Sequence, residues 1–83
     1  MNRDEIFARV SDAMQELFDL EPEAIRLESK LFDDLDLDSI DAVDMAVKMQ
    51  EITGRRVDDK DLRRIRTVGD IVDLLARDLQ ARG

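Results

Sequence analysis

The sequence predicts an all-α fold: a small helical bundle of three main helices plus one short helix, with a long loop between helices 1 and 2. Three observations predict it. Apolar residues recur every three or four positions in three segments. No segment alternates apolar and polar residues as a half-buried strand does. Asn2, Pro22, Asp38-Ser39, Gly54 and Thr67 stand where helix starts and stops belong. At 83 residues, the chain predicts one domain spanning 1–83.

Helix 1 is carried by Ile6, Val10, Ala13, Met14 and Leu17, with Phe7 and Phe18 widening the stripe. Asn2 is its expected N-cap, with Glu5 three residues on. It should end near Phe18 to Leu20, before Glu21-Pro22-Glu23, because proline removes a backbone donor and disfavours helix in the preceding residue. Residues 21–37 form a long connection. Its apolar residues, Ile25, Leu27, Leu31, Phe32, Leu35 and Leu37, predict a loop anchored onto the core. Such length without regular structure points to function.

Helix 2 should start at Asp38 or Ser39, with one of the two as its cap and Asp41 resembling the acidic partner of a capping box. Ile40, Val43 and Val47 share one side and Met45, Met49 and Ile52 an adjacent one; Gly54 stops it. A short third helix is expected over Asp59 to Arg64, contributing Leu62, with Ile65 just beyond. Thr67 caps the last helix, in which Val68, Ile71, Val72, Leu74, Leu75 and Leu79 repeat. Met45, Met49, Val68, Ile71, Val72 and Leu75 are the expected core.

Composition excludes much chemistry. Cysteine is absent, so there is no disulfide, thiolate metal site or thiol nucleophile. Histidine is absent, which removes Ser-His-Asp and Cys-His arrangements and any imidazole base. The chain is expected to be no enzyme. Thirteen basic against twenty-one acidic residues give net −8, a surface that repels nucleic acid and attracts basic patches. No apolar run is long enough to span a membrane. The stretch Met1-Asn2-Arg3-Asp4-Glu5 does not read as a signal peptide, and a cytoplasmic setting is expected.

The charge is uneven. Glu28 to Glu51 holds eight acidic residues against Lys30 and Lys48, while Arg55 to Arg66 holds six basic residues against three aspartates. The densest stretch is Asp33-Asp34-Leu35-Asp36-Leu37-Asp38-Ser39-Ile40-Asp41. A calcium loop starting at Asp34 would need glycine and glutamate where Ser39 and Met45 stand, so no metal site is expected. A plain helix cap, favoured by the dipole, explains the Asp-Ser pair by itself.

The whole arrangement resembles the acyl carrier protein family. Leu31 to Met45 is similar to that family's leucine-anchored, acidic approach to an Asp-Ser-Leu attachment motif followed by an acidic helix. The similarity continues through Val57-Asp58-Asp59, Ile65-Arg66-Thr67-Val68 and Asp70-Ile71, and back through helix 1. It implies a carrier of acyl thioesters serving fatty-acid, polyketide or related lipid synthesis. A transferase would attach 4′-phosphopantetheine from coenzyme A to Ser39. A chain without cysteine needs such an arm to acquire a thiol.

The resemblance further implies a docking face of Asp38, Ile40, Asp41, Val43, Asp44, Val47 and Glu51. Its partners would be the phosphopantetheinyl transferase, an acyl-loading enzyme and a synthase, each with basic patches, meeting a monomeric carrier. A peptidyl, aminoacyl or D-alanyl carrier would use the same serine. A small unmodified helical adaptor is the rival of another class. The sequence departs from the family pattern at Asp36, where glycine is common, Ile40 for leucine, Thr53 for an aromatic residue and Asp58 for proline. Arg55, Arg56, Arg63 and Arg64 make the third-helix region unusually basic. These arginines either pair with the chain's own aspartates or select partners.

Overall fold

The computed structural model describes residues 2–82, with side chains through residue 80. Met1 and Gly83, the ends of the expected domain, lie outside the described residues. Four α-helices follow in order: α1 (Arg3–Phe18), α2 (Ser39–Thr53), α3 (Asp59–Arg64) and α4 (Val68–Arg82), with a single 3₁₀ turn at Pro22–Ala24. Helices α1, α2 and α4 pack against one another, and α3 borders the α2–α4 side. The comparison with the sequence is close: all three long helices and the short one lie where expected.

Each boundary has a local cause. The Asn2 carboxamide oxygen accepts from the Glu5 N–H at 2.8 Å, satisfying a first-turn donor of α1. Asp19 ends α1 in the left-handed region, and Gly54 ends α2 likewise at φ 72°. Helix α4 starts with a reciprocal cap. The Asp70 N–H donates to the Thr67 hydroxyl at 3.2 Å, and the Asp70 carboxylate accepts from the Thr67 and Arg66 N–H groups at 3.1 and 2.9 Å.

The core is aliphatic and sulfur-rich. Ile6, Val10 and Met14 of α1 meet Met45 and Met49 of α2 and Val68, Ile71, Val72 and Leu75 of α4, all essentially inaccessible. Every expected core residue is buried. Thr53 is also buried; its hydroxyl donates to the Met49 carbonyl at 3.2 Å and accepts from the Arg55 N–H at 3.1 Å. A small polar residue thus fits where the family favours an aromatic one, because the helix end supplies its hydrogen bonds.

The long loop is anchored as expected, but not by all of its apolar residues. Ile25, Leu31 and Leu35 are buried, whereas Leu27 and Phe32 remain 44% and 43% exposed. The backbone does much of the anchoring. The Leu31 N–H donates to the Arg66 carbonyl at 2.9 Å, Val68 N–H to Ser29 at 3.0 Å and Gly69 N–H to Leu27 at 2.8 Å. Lys30 and Thr67 thereby form an isolated antiparallel bridge. A Cβ at residue 69 would lie 3.0 Å from the Leu27 oxygen, so this close approach favours glycine.

Asp36 has φ 58°, the left-handed conformation that explains the family's glycine there. Asp36→Gly should therefore stabilise the fold by about 0.5–1 kcal/mol, because relieved strain exceeds the added unfolded-state entropy. A melting temperature a few degrees higher, followed by circular dichroism, is the expected result; a lower one would show that Asp36 is not strained.

Short α3 buries no residue completely. It is tied to α4 by Arg77, which donates to Asp61 at 2.9 Å and to the buried Asp78 at 3.1 Å. The Arg77 hydrogen bond, opposed by desolvation and aided by the charges of Arg77 and Arg64, holds the Asp61 carboxyl below its ordinary range.

Candidate functional site

Ser39 is the first residue of α2 and is exposed. It does not cap its helix. That role belongs to Asp38, whose carboxylate accepts from the Asp41 N–H at 2.9 Å, while the Asp41 carboxylate accepts from the Asp38 N–H at 3.1 Å. The full capping box is present, stronger than the sequence alone suggested. Among the described residues the Ser39 hydroxyl has no hydrogen-bond partner. The serine is therefore held by backbone geometry, with its oxygen free to react.

The expected docking residues share the surface around it, though unequally. Ile40, Val43 and Val47 are 72%, 54% and 49% exposed. They form an exposed apolar stripe along α2 rather than part of the core. Asp38, Asp44 and Glu51 are exposed. Asp41 is only partly exposed, and its carboxylate is engaged in the cap. Glu51 lies 3.6 Å from Lys48, which also approaches Glu16 at 3.9 Å. Asp44 is thus the freest acid of the α2 face.

Below this surface, between α2 and α3, a void of about 20 Å3 is lined by Leu31, Phe32, Ala42, Met45, Met49, Leu62, Ile65 and Ile71. That holds about one water molecule, not an acyl chain. A larger groove of about 490 Å3 opens on the surface beside Ser39, with Phe32, Val43, Leu62, Arg63 and Arg66 among its walls. Sequence reasoning missed this groove, because it placed Phe32 among the loop anchors.

The arginines of the basic segment form no close ion pair among the described residues, although the charge of Arg64 acts on Asp61. Among the described residues, ion pairs involve Arg3 with Asp73, Lys48 with Glu16 and Glu51, and Arg77 with Asp61 and Asp78. Arg55, Arg56, Arg63 and Arg64 take part in none of them. No cluster of three or more potential metal ligands occurs among the described residues, and no helix there is long and apolar enough to cross a membrane.

The phosphopantetheine attachment-site family matches residues 8–75. Acyl carrier protein 2 of Ralstonia nicotianae is 47% identical over 87% of this chain and 89% of its own length. The chain belongs to the acyl carrier protein family. A Thermotoga maritima acyl carrier protein is 40% identical over 94% of this chain and 96% of its own. The solved acyl carrier protein of Enterococcus faecalis superposes with a TM-score of 0.77 at 28% identity, covering 94% of this chain and 99% of that one.

An acyl carrier protein works through a covalently attached 4′-phosphopantetheine, on which acyl groups are carried as thioesters. The residues around α2 fit that group. A free, exposed hydroxyl opens onto a groove, and the dipole of α2 favours a phosphate nearby, while the carboxylates of Asp36, Asp38 and Asp41 oppose it.

Proposed function

We propose that Ser39 carries the arm, and that this cytoplasmic chain acts as one non-catalytic carrier domain. The observation that supports it most is the division of labour at the start of α2: Asp38 caps, leaving the Ser39 oxygen uncommitted. A partner transferase presents coenzyme A to this oxygen. The Ser39 oxygen forms a phosphoester bond as the coenzyme's diphosphate breaks; the nucleotide leaves, and the hydroxyl proton passes to the transferase. The arm supplies the thiol that the chain lacks. Intact mass after this reaction tests the reading, with one arm expected on the wild type and none on Ser39→Ala.

The α2 surface is the docking face. Ile40, Val43 and Val47 supply apolar contact, and Asp38, Asp44 and Glu51 supply the field that draws basic patches on the transferase, loading enzyme and synthase. Asp41 contributes charge but also holds the cap, so altering it would mix docking with folding. Asp44→Lys with Glu51→Lys avoids this. Exposed pairs are worth about 0–1 kcal/mol each, but several together govern encounter rates. The double variant should be modified several-fold more slowly at low salt and nearly normally at high salt, with helix content unchanged by circular dichroism. An equal rate at low salt would show a merely solvated face.

A further inference from the structure

Helix α2 is bordered by charge of opposite sign on its two flanks. Its acids lie towards α1: Glu51 approaches Lys48, which also reaches Glu16 of α1. Asp44 stands seven residues before Glu51, two turns away on the same side of the helix. Val43 lies on the other flank, where it shares a wall with Leu62 and Arg63. The exposed stripe of Ile40, Val43 and Val47 therefore separates the acids from α3.

The α3 flank is basic. The 15 residues of α2 span about 22 Å. The chain leaves that helix at Gly54, at the end away from Ser39, with Arg55 and Arg56. It then returns beside α2 through α3, and Arg63 reaches the surface next to Ser39. Asp61 and Leu62 turn inward, to Arg77 and to the core. Lys60, Arg63 and Arg64, three and four positions apart, share the outward face, and all are exposed. Arg55, Arg56, Lys60, Arg63 and Arg64 form no close ion pair among the described residues, in a chain with twenty-one acidic residues. Only the longer-range charge of Arg64 acts on Asp61. Asp58 and Asp59 stand where α3 begins and leave the segment positive on balance.

An enzyme that reaches an arm on Ser39 covers this neighbourhood. One whose docking patch is basic throughout is drawn by the α2 acids and repelled by α3. Carboxylates opposite α3 turn that repulsion into attraction. Juxtaposed like charges suppress wrong partners and complementary ones speed encounter.

We propose that α3 and the turn before it form a second docking strip, basic where the α2 strip is acidic, and that it selects a partner enzyme bearing carboxylates beside its own basic patch. The two strips also fix the rotation of the carrier about Ser39, because a half turn would bring like charges together. The inference rests on Ser39 as the attachment residue and on α2 as a docking face.

The test uses a purified acyltransferase chosen for a docking patch that is basic throughout, with malonyl-coenzyme A as donor. The malonyl thioester passes from coenzyme A to the thiol of the arm, and coenzyme A leaves as the free thiol. Intact mass first confirms one arm on the wild type and none on Ser39→Ala; failure here strikes the attachment reading alone. Asp44→Lys with Glu51→Lys should then slow malonyl transfer at low salt; an unchanged rate strikes the α2 reading.

The inference is read from Arg56→Glu and Lys60→Glu. Each should be acylated several-fold faster than the wild type at low salt, with the gain lost at high salt. Arg26→Glu adds the same charge outside the basic segment and should give a clearly smaller gain, which separates a local strip from net charge. Neither Arg56 nor Lys60 takes part in the Asp61–Arg77 link, so helix content by circular dichroism should hold. Glutamate placed in turn at each lysine of the acyltransferase patch completes the swap. One such enzyme should react faster than its parent with the wild-type carrier and slower with Lys60→Glu. Equal rates for the wild type and both reversals, equal gains from Arg26→Glu, or gains that persist at high salt would overturn the proposal. So would binding of the wild type, but not of Lys60→Glu, to phosphatidylglycerol vesicles with transfer rates unchanged, which would assign the strip to a membrane.

Discussion

Ser39→Ala should accept no 4′-phosphopantetheine while folding as well as the parent chain. Few substitutions separate chemistry from structure so cleanly. The Ser39 side chain makes no hydrogen bond among the described residues, and alanine is the best helix former. The cap stays intact because its bonds join Asp38 and Asp41. Melting temperature and helix content should therefore match the wild type, while intact mass after incubation with coenzyme A, magnesium and a transferase shows no gain. Asp38→Ala should behave oppositely. It removes one side of the capping box, costs about 1 kcal/mol of stability, and retains the hydroxyl. A full arm on the alanine variant at 39 would move the attachment point elsewhere and dismantle the reading of the α2 start.

The second large effect is on stability. Leu75→Ala should cost about 2–5 kcal/mol, the usual range for a leucine removed from a packed core. Leu75 has no accessible surface and sits on the face of α4 that meets α1 and α2. A domain of this size has about 4–12 kcal/mol in total, so the loss is a large share. The melting temperature should fall by about 8–40 °C. Val47→Ala is the matched control. Its side chain is half exposed on the α2 surface, so it should cost less than about 1 kcal/mol. Similar losses at both positions would contradict the division between buried core and exposed α2 face.

Most of the helical framework was legible in the sequence because its signals are local. The Asp38–Asp41 box, the Gly54 stop and the Thr67–Asp70 cap each lie within four residues, and the α4 stripe repeats four times over one helix. The place of Ser39 at the first residue of α2 was legible for the same reason. What escaped depends on distant pairs. The bridge of Lys30 to Thr67 has no periodic signature, since it joins one residue to one residue across the chain. Phe32 looks like a core residue by type, yet the loop turns it toward the groove. Asp78 looks like a surface acid, yet Arg77 keeps it company in a largely buried position. The uncommitted state of Arg63 depends on where every carboxylate finally lies, which no short window contains.

The pairing of residues 27–31 with residues 66–69 closes a ring of about forty residues that contains both α2 and α3. Within this ring the two helices differ in tether. Helix α2 is sewn into the core by Met45 and Met49, whereas α3 is held mainly at its edge, by Leu62 and the Asp61–Arg77 link. With the arm on Ser39 as proposed, strain applied there by an enzyme that grips it would pass along α2 to the clasp and into α4. Of the two groove arginines, Arg66 belongs to the clasp through its carbonyl, whereas Arg63 lies on α3, off that route. The edge-tethered α3 is the segment whose amide protons should exchange early while the bundle stays closed.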